Sequence, residues 1–367
     1  MSVSKPVSKE IVEWDEYTAR IEAVEEVEVR ARVSGYLESV EFTDGAVVDK
    51  GDLLFVIDRR PFEAALREHA AEVKQAQAAA ENARTQLSRV RRLRESESIS
   101  DEEFQLRRTA SLAADADVQS AQAAMEAAKL NLEFTEVRAP INGRISRPFI
   151  TAGNLVRGGT ASADLLTRIV SLDSVHAYFE SSEREYLKYV RLSRSGQRPS
   201  SREVRNPVFA RLADEDGFPH RGHMDFVDNL LDPNTGTMTG RALLPNPDRM
   251  LTPGLFARVR LPGSGVHKAL LVPDAAIGSD QTEKYLIVID SDNMASYRKI
   301  ETGPLVHGLR VVRSGLDADD TIVISGIQRV RPGQPVTPET GAIDIEPEPL
   351  TPADAAPISV SAITPAP

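Results

Sequence analysis

The stretch Pro61–Val90, PFEAALREHAAEVKQAQAAAENARTQLSRV, decides how the chain folds. Stepping alternately four and three residues from Phe62 lands on Leu66, His69, Val73, Ala76, Ala80, Ala83, Leu87 and Val90, a heptad seam apolar at every position but one. A second arm mirrors it. Counting back from Leu132 by the same steps gives Ala128, Met125, Ala121, Val118, Ala114, Ser111, Arg107 and Phe104. Between the arms lies only Glu95–Ser100, short enough to force them antiparallel. The pattern predicts a coiled-coil hairpin from Pro61 to Phe134, with arms roughly 50 Å long at a rise of ~1.5 Å per residue. Alanine along the seam lets the helices approach closely but buries little apolar area. Such a rod is a poor core for a globular enzyme and a good arm for reaching something.

The sequence on either side of the hairpin reads as one small β domain cut in half. Val29-Arg-Ala-Arg-Val-Ser-Gly-Tyr-Leu37 is similar to Val137-Arg-Ala-Pro-Ile-Asn-Gly-Arg-Ile145 at an offset of 108 residues. The offset persists, with Gly35, Gly45 and Gly51 matching Gly143, Gly153 and Gly159, and Val47 and Val48 matching Leu155 and Val156. After a four-residue insertion, Asp52-Leu-Leu54 matches Asp164-Leu-Leu166. Three glycines at identical spacings predict strand–turn–strand units whose turns need positive φ. Neither half can bury a core alone, so the two pair into one sandwich.

At 367 residues, with 41% apolar and 27% charged residues, the composition is that of a multidomain globular protein. The net charge of −11 leaves no broad footprint for nucleic acid or an anionic membrane. No run approaches 18 apolar residues, and Met1-Ser-Val-Ser-Lys5 lacks the apolar region of a signal peptide, so a leader is absent from this sequence. With no cysteine there is neither a disulfide framework nor a thiol to lipidate.

Outside the sandwich, Val175 to Leu261 shows short alternating runs separated by Pro, Gly, Asp and Asn turns, the pattern of an antiparallel barrel. Within it, Ser182–Val190 reads as a helix with Ser182 as N-cap and Glu185 completing a capping box, followed by a polar loop from Ser193 to Asn206. Residues 268 to 338 give further strands, expected to pair with those before Val27. From Gly341 onward Pro, Ala, Glu and Thr dominate, which predicts a disordered tail.

Catalytic and cofactor patterns are missing: the sequence has no Gly-x-Gly-x-x-Gly, Walker loop, His-Glu-x-x-His or Gly-x-Ser-x-Gly. His220 and His223 form the only close histidine pair, with no third ligand evident and a turn-like glycine between them. The six methionines are scattered, which weighs against a thioether metal site. The expectation is a protein that is not an enzyme and holds no cofactor or metal.

A duplicated β half-motif of this spacing resembles the biotinyl/lipoyl carrier domain, whose modified lysine sits at the turn joining the halves. Here the hairpin occupies that junction, and Lys50 lies elsewhere, before the last strand of the first half. Nearly the whole chain resembles the periplasmic adaptors, or membrane fusion proteins, of tripartite efflux pumps, and most of all those of resistance-nodulation-division (RND) pumps. Trp14-Asp-Glu-Tyr-Thr18, Arg32-Val-Ser-Gly-Tyr36, Gly51-Asp-Leu-Leu-Phe55, Arg60-Pro-Phe62 and Val137-Arg-Ala-Pro140 are similar to that family's landmarks. So are Phe226-Val-Asp228, Asp232-Pro-Asn-Thr-Gly-Thr237, Pro253-Gly-Leu-Phe-Ala257 and Val272-Pro-Asp274.

The resemblance implies a mainly β, elongated multidomain chain with a long α-helical coiled-coil hairpin. Its parts are a membrane-proximal β domain (8–27 with 267–340), a lipoyl-like domain in two halves (28–60 with 135–171), the hairpin (61–134), a β-barrel (172–266) and the Pro-rich tail (341–367). It implies a non-enzymatic subunit in the periplasm, held at the inner membrane through its partner. That subunit links an inner-membrane RND transporter to an outer-membrane channel and assembles with itself, as a hexamer, into a sealed duct for drug efflux. Arg89, Leu93 and Ser100 fit the spacing Arg-x3-Leu-x6-Ser that marks, in this family, the hairpin tip docking with the channel. Arg89 and Leu93 share one helical face, and Ser100 would N-cap the second helix with Glu103 completing a capping box. Two other readings stand beside this one: an adaptor of an ATP-driven exporter or type I secretion system, and a biotinyl or lipoyl carrier modified at Lys50.

Overall fold

The computed structural model describes residues 1–95, 99–159, 162–280, 283–290, 292–330, 333–348 and 350–358. The chain divides into two compact units, one of residues 24–172 and one of residues 1–23 with the chain from Asp173 on. Among the described residues, no helix is long and apolar enough to cross a membrane.

In the first unit, α1 (Arg60–Glu95) and α2 (Asp101–Glu133) form the hairpin. Its seam follows the heptads: Val73 and Ala80 of α1 and Phe104, Ser111 and Ala128 of α2 are buried, and every other seam residue is partly covered. Of the connection expected at Glu95–Ser100, residues 96–98 lie outside the described residues. At the base of the hairpin, Phe62 and Phe134 pack on the sandwich core, and Arg59 pairs with Glu136 at 2.7 Å.

The sandwich consists of two four-stranded antiparallel sheets. One runs in the order Leu155–Val156, Gly35–Val40, Leu53–Ile57, Glu136–Arg138, and the other Glu26–Arg30, Leu165–Val170, Gly143–Ile145, Val47–Val48. The repeat offset turns each order into the reverse of the other, so each sheet takes two strands from each half. The core obeys the same symmetry. Leu37 and Ile145, Leu54 and Leu166, and Ile57 and Ile169 are equivalent pairs, each residue at most 1% exposed. Neither half can form without the other, which is why both must flank the hairpin.

Two of the three glycine pairs have the positive φ expected of turns, +75° and +88° at Gly45 and Gly153 and +99° and +74° at Gly51 and Gly159. Gly35 and Gly143 are different: they open strands, and a Cβ there would meet Ile57 and the Val170 carbonyl respectively. Close approach, not turn geometry, requires glycine at that pair.

In the second unit, six antiparallel strands close a barrel in the order Ser174–Ser182, Thr237–Pro245, His220–Val227, Pro207–Arg211, Phe256–Pro262, Trp14–Ala23. The last of these corrects part of the expected membrane-proximal segment 8–27, of which the beginning, up to Ile11, does pair with the strand from His267. Trp14–Ala23 pairs with Phe256–Pro262 and Ser174–Ser182, burying Tyr17, Ala19 and Ile21 in the barrel core. Its alternation fixes which face is buried but not against which partner. Between Ser174–Ser182 and Pro207–Arg211 comes α3 (Glu183–Arg194), with the Ser182/Glu185 capping box formed.

A further sheet pairs Val7–Ile11 with His267–Pro273 and continues through Leu309–Ser314, Ala295–Val306, Glu283–Ile289, Thr321–Ser325, Ser2–Ser4 and Glu339–Thr340. The tail departs from the expected disorder over its first part. Gly341 donates to the Val3 carbonyl, Glu346 to the His307 carbonyl and Ile358 to the Arg205 carbonyl, and Leu350 is buried. Backbone pairing with existing strands and loops supplies the order that its own composition cannot. Residues 359–367 lie outside the described residues.

Candidate functional site

The end of the hairpin away from the sandwich is built by opposed helix termini. α1 finishes with Arg92 and Arg94, where the dipole favours cations, and α2 begins with Asp101, Glu102 and Glu103, where it favours anions. Ser100 takes extended backbone angles, and its hydroxyl oxygen accepts from the Glu103 amide at 3.3 Å. The cap therefore forms, but the expected capping box does not. The Glu103 carboxylate accepts from Arg107 Nε at 2.8 Å, and Arg107 also donates to Gln86 Oε1 at 3.1 Å across the hairpin. The carboxylate thus braces a cross-helix bridge instead of closing on its own cap.

A second clasp lies nearer the turn. The Arg94 guanidinium sits 4.5 Å above the buried Phe104 ring and 2.9 Å from Asp101, tying the last turn of α1 to the first of α2. Farther down, Arg84 and Asp115 repeat the cross-helix tie at 2.7 Å. An alanine seam supplies little packing, so these contacts hold the tip in register.

Arg89 and Leu93 lie on this clasped end, both exposed and one helical turn apart; Leu93 keeps 47% of its surface open. The fold brings all three expected residues to one end, Arg89 and Leu93 on α1 and Ser100 at the start of α2. It also leaves Leu106 and Leu112 of α2 open at 58% and 60%. Sequence reasoning passed over these two because they fall off the seam, yet an apolar residue on an otherwise polar helical face is itself a signal.

The other candidates go elsewhere. His220 and His223 lie in a strand, not a turn; His220 bonds the Glu215 carboxylate at 2.8 Å and His223 is buried. No group of three metal-ligating side chains occurs among the described residues. Lys50 stands exposed in a tight turn, its backbone amide donating to Asn142 Oδ1 at 2.7 Å.

Three family models match in succession: the barrel-sandwich hybrid domain of RND membrane fusion proteins over residues 25–168, their β-barrel domain over 175–263, and their C-terminal permuted SH3 domain over 268–329. The chain is 37% identical over 323 residues to the efflux pump periplasmic linker BepF of Brucella suis biovar 1 (strain 1330), covering 88% of this chain and 77% of that one. It is 33% identical over 321 residues to the multidrug efflux pump subunit AcrA of Escherichia coli (strain K12), covering 87% and 80%. The crystal structure of MacA from Actinobacillus actinomycetemcomitans shares the fold, with a TM-score of 0.57 at 20% identity over 89% of this chain and 99% of that one. This chain belongs to the RND membrane fusion proteins, the non-catalytic periplasmic adaptors that link an inner-membrane RND transporter to an outer-membrane channel.

Proposed function

We propose that the clasped end of the hairpin is the surface that meets the outer-membrane channel, with Arg89 and Leu93 making the contact and Ser100 fixing the turn that presents them. The observation that carries this reading is Leu93, 47% exposed beside Arg89 at the free end of a braced arm. An exposed leucine is an anchor for an apolar socket. An adjacent guanidinium suits the carbonyl-rich C-terminal end of a partner helix, where the dipole favours a cation. In the assembled pump six copies stand side by side, so that individually weak tips sum to a usable avidity. Their sandwiches (28–60 with 135–171) and hairpins (61–134) wall a sealed duct, and transported drugs pass through without chemistry. The barrel and the membrane-proximal strands grip the transporter, which holds the adaptor at the inner membrane and supplies the energy.

The test is efflux in cells lacking the native adaptor, complemented with Arg89→Asp or Leu93→Asp. Both variants lose drug resistance while circular dichroism and melting temperature stay unchanged, because neither side chain is buried. Wild-type resistance with both variants would remove the tip from the mechanism.

A further inference from the structure

A cavity of about 390 Å³ lies within the barrel unit, between α3, the loop that follows it and four barrel strands. Its size falls in the range of small-ligand sites, about 300–1,000 Å³. The floor is apolar and contains Phe179, Met224, Met238 and Leu261. Two methionines give it a floor that adapts to shape. The remaining wall carries Arg194, Arg198 and Arg202 against one carboxylate, Glu203, in a chain whose net charge is −11.

Arg198 makes the site unusual. It is 5% exposed and lies over the Tyr189 ring at 4.6 Å. Its only side-chain hydrogen bond among the described residues goes from Nη2 to Ser201 Oγ at 3.3 Å, and Nε has no partner. A buried guanidinium ordinarily requires a carboxylate. The acid whose charge acts on Arg198 is already engaged: Asp15 accepts from Tyr189 at 2.6 Å and from Lys188 at 2.9 Å. Burial raises the Tyr189 hydroxyl well above its ordinary value, so it remains a donor to Asp15 and gives Arg198 a neutral ring face, not a counter-charge. Neither Arg194 nor Arg202 is in an ion pair among the described residues; Arg202 donates to the Asp228 carbonyl and to Tyr186 at 3.3 Å.

We propose that this cavity binds a small amphiphilic anion, its carboxylate seated at Arg198 between Arg194 and Arg202 and its apolar body laid on Phe179, Met224 and Met238. The anion supplies the direct ion pair that Arg198 lacks among the described residues, and the apolar floor selects against fully hydrated inorganic ions. A carboxylate of this kind comes either from a compact transported acid or from an acyl chain released from lipid. The site is separate from the hairpin tip, and binding to the isolated adaptor tests it independently of efflux.

Isothermal titration with 2-naphthoate, decanoate and neutral 2-naphthamide provides the test. At least one acid binds saturably and about tenfold or more tighter than the amide, because only the charged head pairs with a desolvated guanidinium. The tighter acid identifies the source: naphthoate for a compact solute, decanoate for an acyl chain. Arg198→Met, which keeps most of the aliphatic volume, loses that preference. Because a buried substitution can disturb folding, Arg194→Gln/Arg202→Gln on exposed positions serves as the second variant. It weakens acid binding about threefold or more and flattens its salt dependence. No saturable binding of either acid up to about 5 mM, equal binding of acid and amide, or unchanged affinity in the double variant overturns the proposal.

Discussion

Ser100→Ala removes one hydrogen bond, the one accepted from the Glu103 amide at 3.3 Å. Loss of a serine N-cap costs about 1 kcal/mol. The cost stays local, because Arg94 still covers Phe104 and Arg107 still bridges to Gln86 one turn farther on. An opening equilibrium shifted by about 1 kcal/mol speeds exchange of the freed amides about fivefold. Hydrogen exchange should therefore quicken by that factor at Glu102, Glu103 and Phe104 and stay unchanged beyond Arg107. Ser100→Asp restores a cap acceptor and adds a charge that the dipole favours, so protection returns. Efflux follows the cap: reduced in Ser100→Ala and recovered in Ser100→Asp. If Ser100→Asp regains protection but stays as impaired as Ser100→Ala, the hydroxyl itself contacts the partner and the capping role assigned to it is wrong.

Gly143→Ala drives a methyl group into the Val170 carbonyl, which cannot move without opening the strand pair, and should cost about 3 kcal/mol. Gly153→Ala meets open space and bears only the strain of φ +88°, about 1 kcal/mol, so equal melting temperatures for the two would contradict the close-approach account. Burial, reinforced by the charge of Arg241 for His176 and of Arg205 for His223, holds both imidazoles below their ordinary 6.5. The unfolded chain then binds more protons, so their contribution to stability is complete above pH 6.5 and is lost as the pH falls through that value toward the lower folded pKa values. A His176→Gln/His223→Gln variant should show a flatter dependence of melting temperature on pH in that window, and an unchanged slope would assign the dependence to other groups.

The hairpin was legible because its periodicity is local: every residue from Phe62 to Val90 on the heptad steps is at least partly covered in the structure. The sandwich was legible because a duplication marks its own equivalent core residues, down to the Leu37 and Ile145 pair. What escaped was long-range partnership. Trp14–Ala23 alternates like any half-buried strand, and nothing local says that it closes a barrel with strands more than 150 residues away. The tail around Leu350 reads as disordered because its order comes from hydrogen bonds to distant residues. Arg198 was hidden for the same reason: in a run of Ser, Arg and Gly it reads as solvated loop, and only the folding of that loop over the barrel buries it. At the tip, Arg89, Leu93 and Ser100 could be placed from spacing, whereas the Arg94–Phe104 clasp requires the two arms in register.

The docking role proposed for the hairpin tip is tested most directly by capture in living cells. The chain has no cysteine, so Arg92→Cys introduces a single thiol at the exposed end of α1 and leaves Arg89 and Leu93 intact. Ala79→Cys places the same thiol at an exposed position midway along the arm. Each is labelled with benzophenone maleimide, irradiated in cells making the complete pump, and the products identified by mass spectrometry. The tip thiol captures the outer-membrane channel, while the midway thiol captures neighbouring copies of the adaptor. Capture of the channel from the midway position but not from the tip would contradict end-on docking.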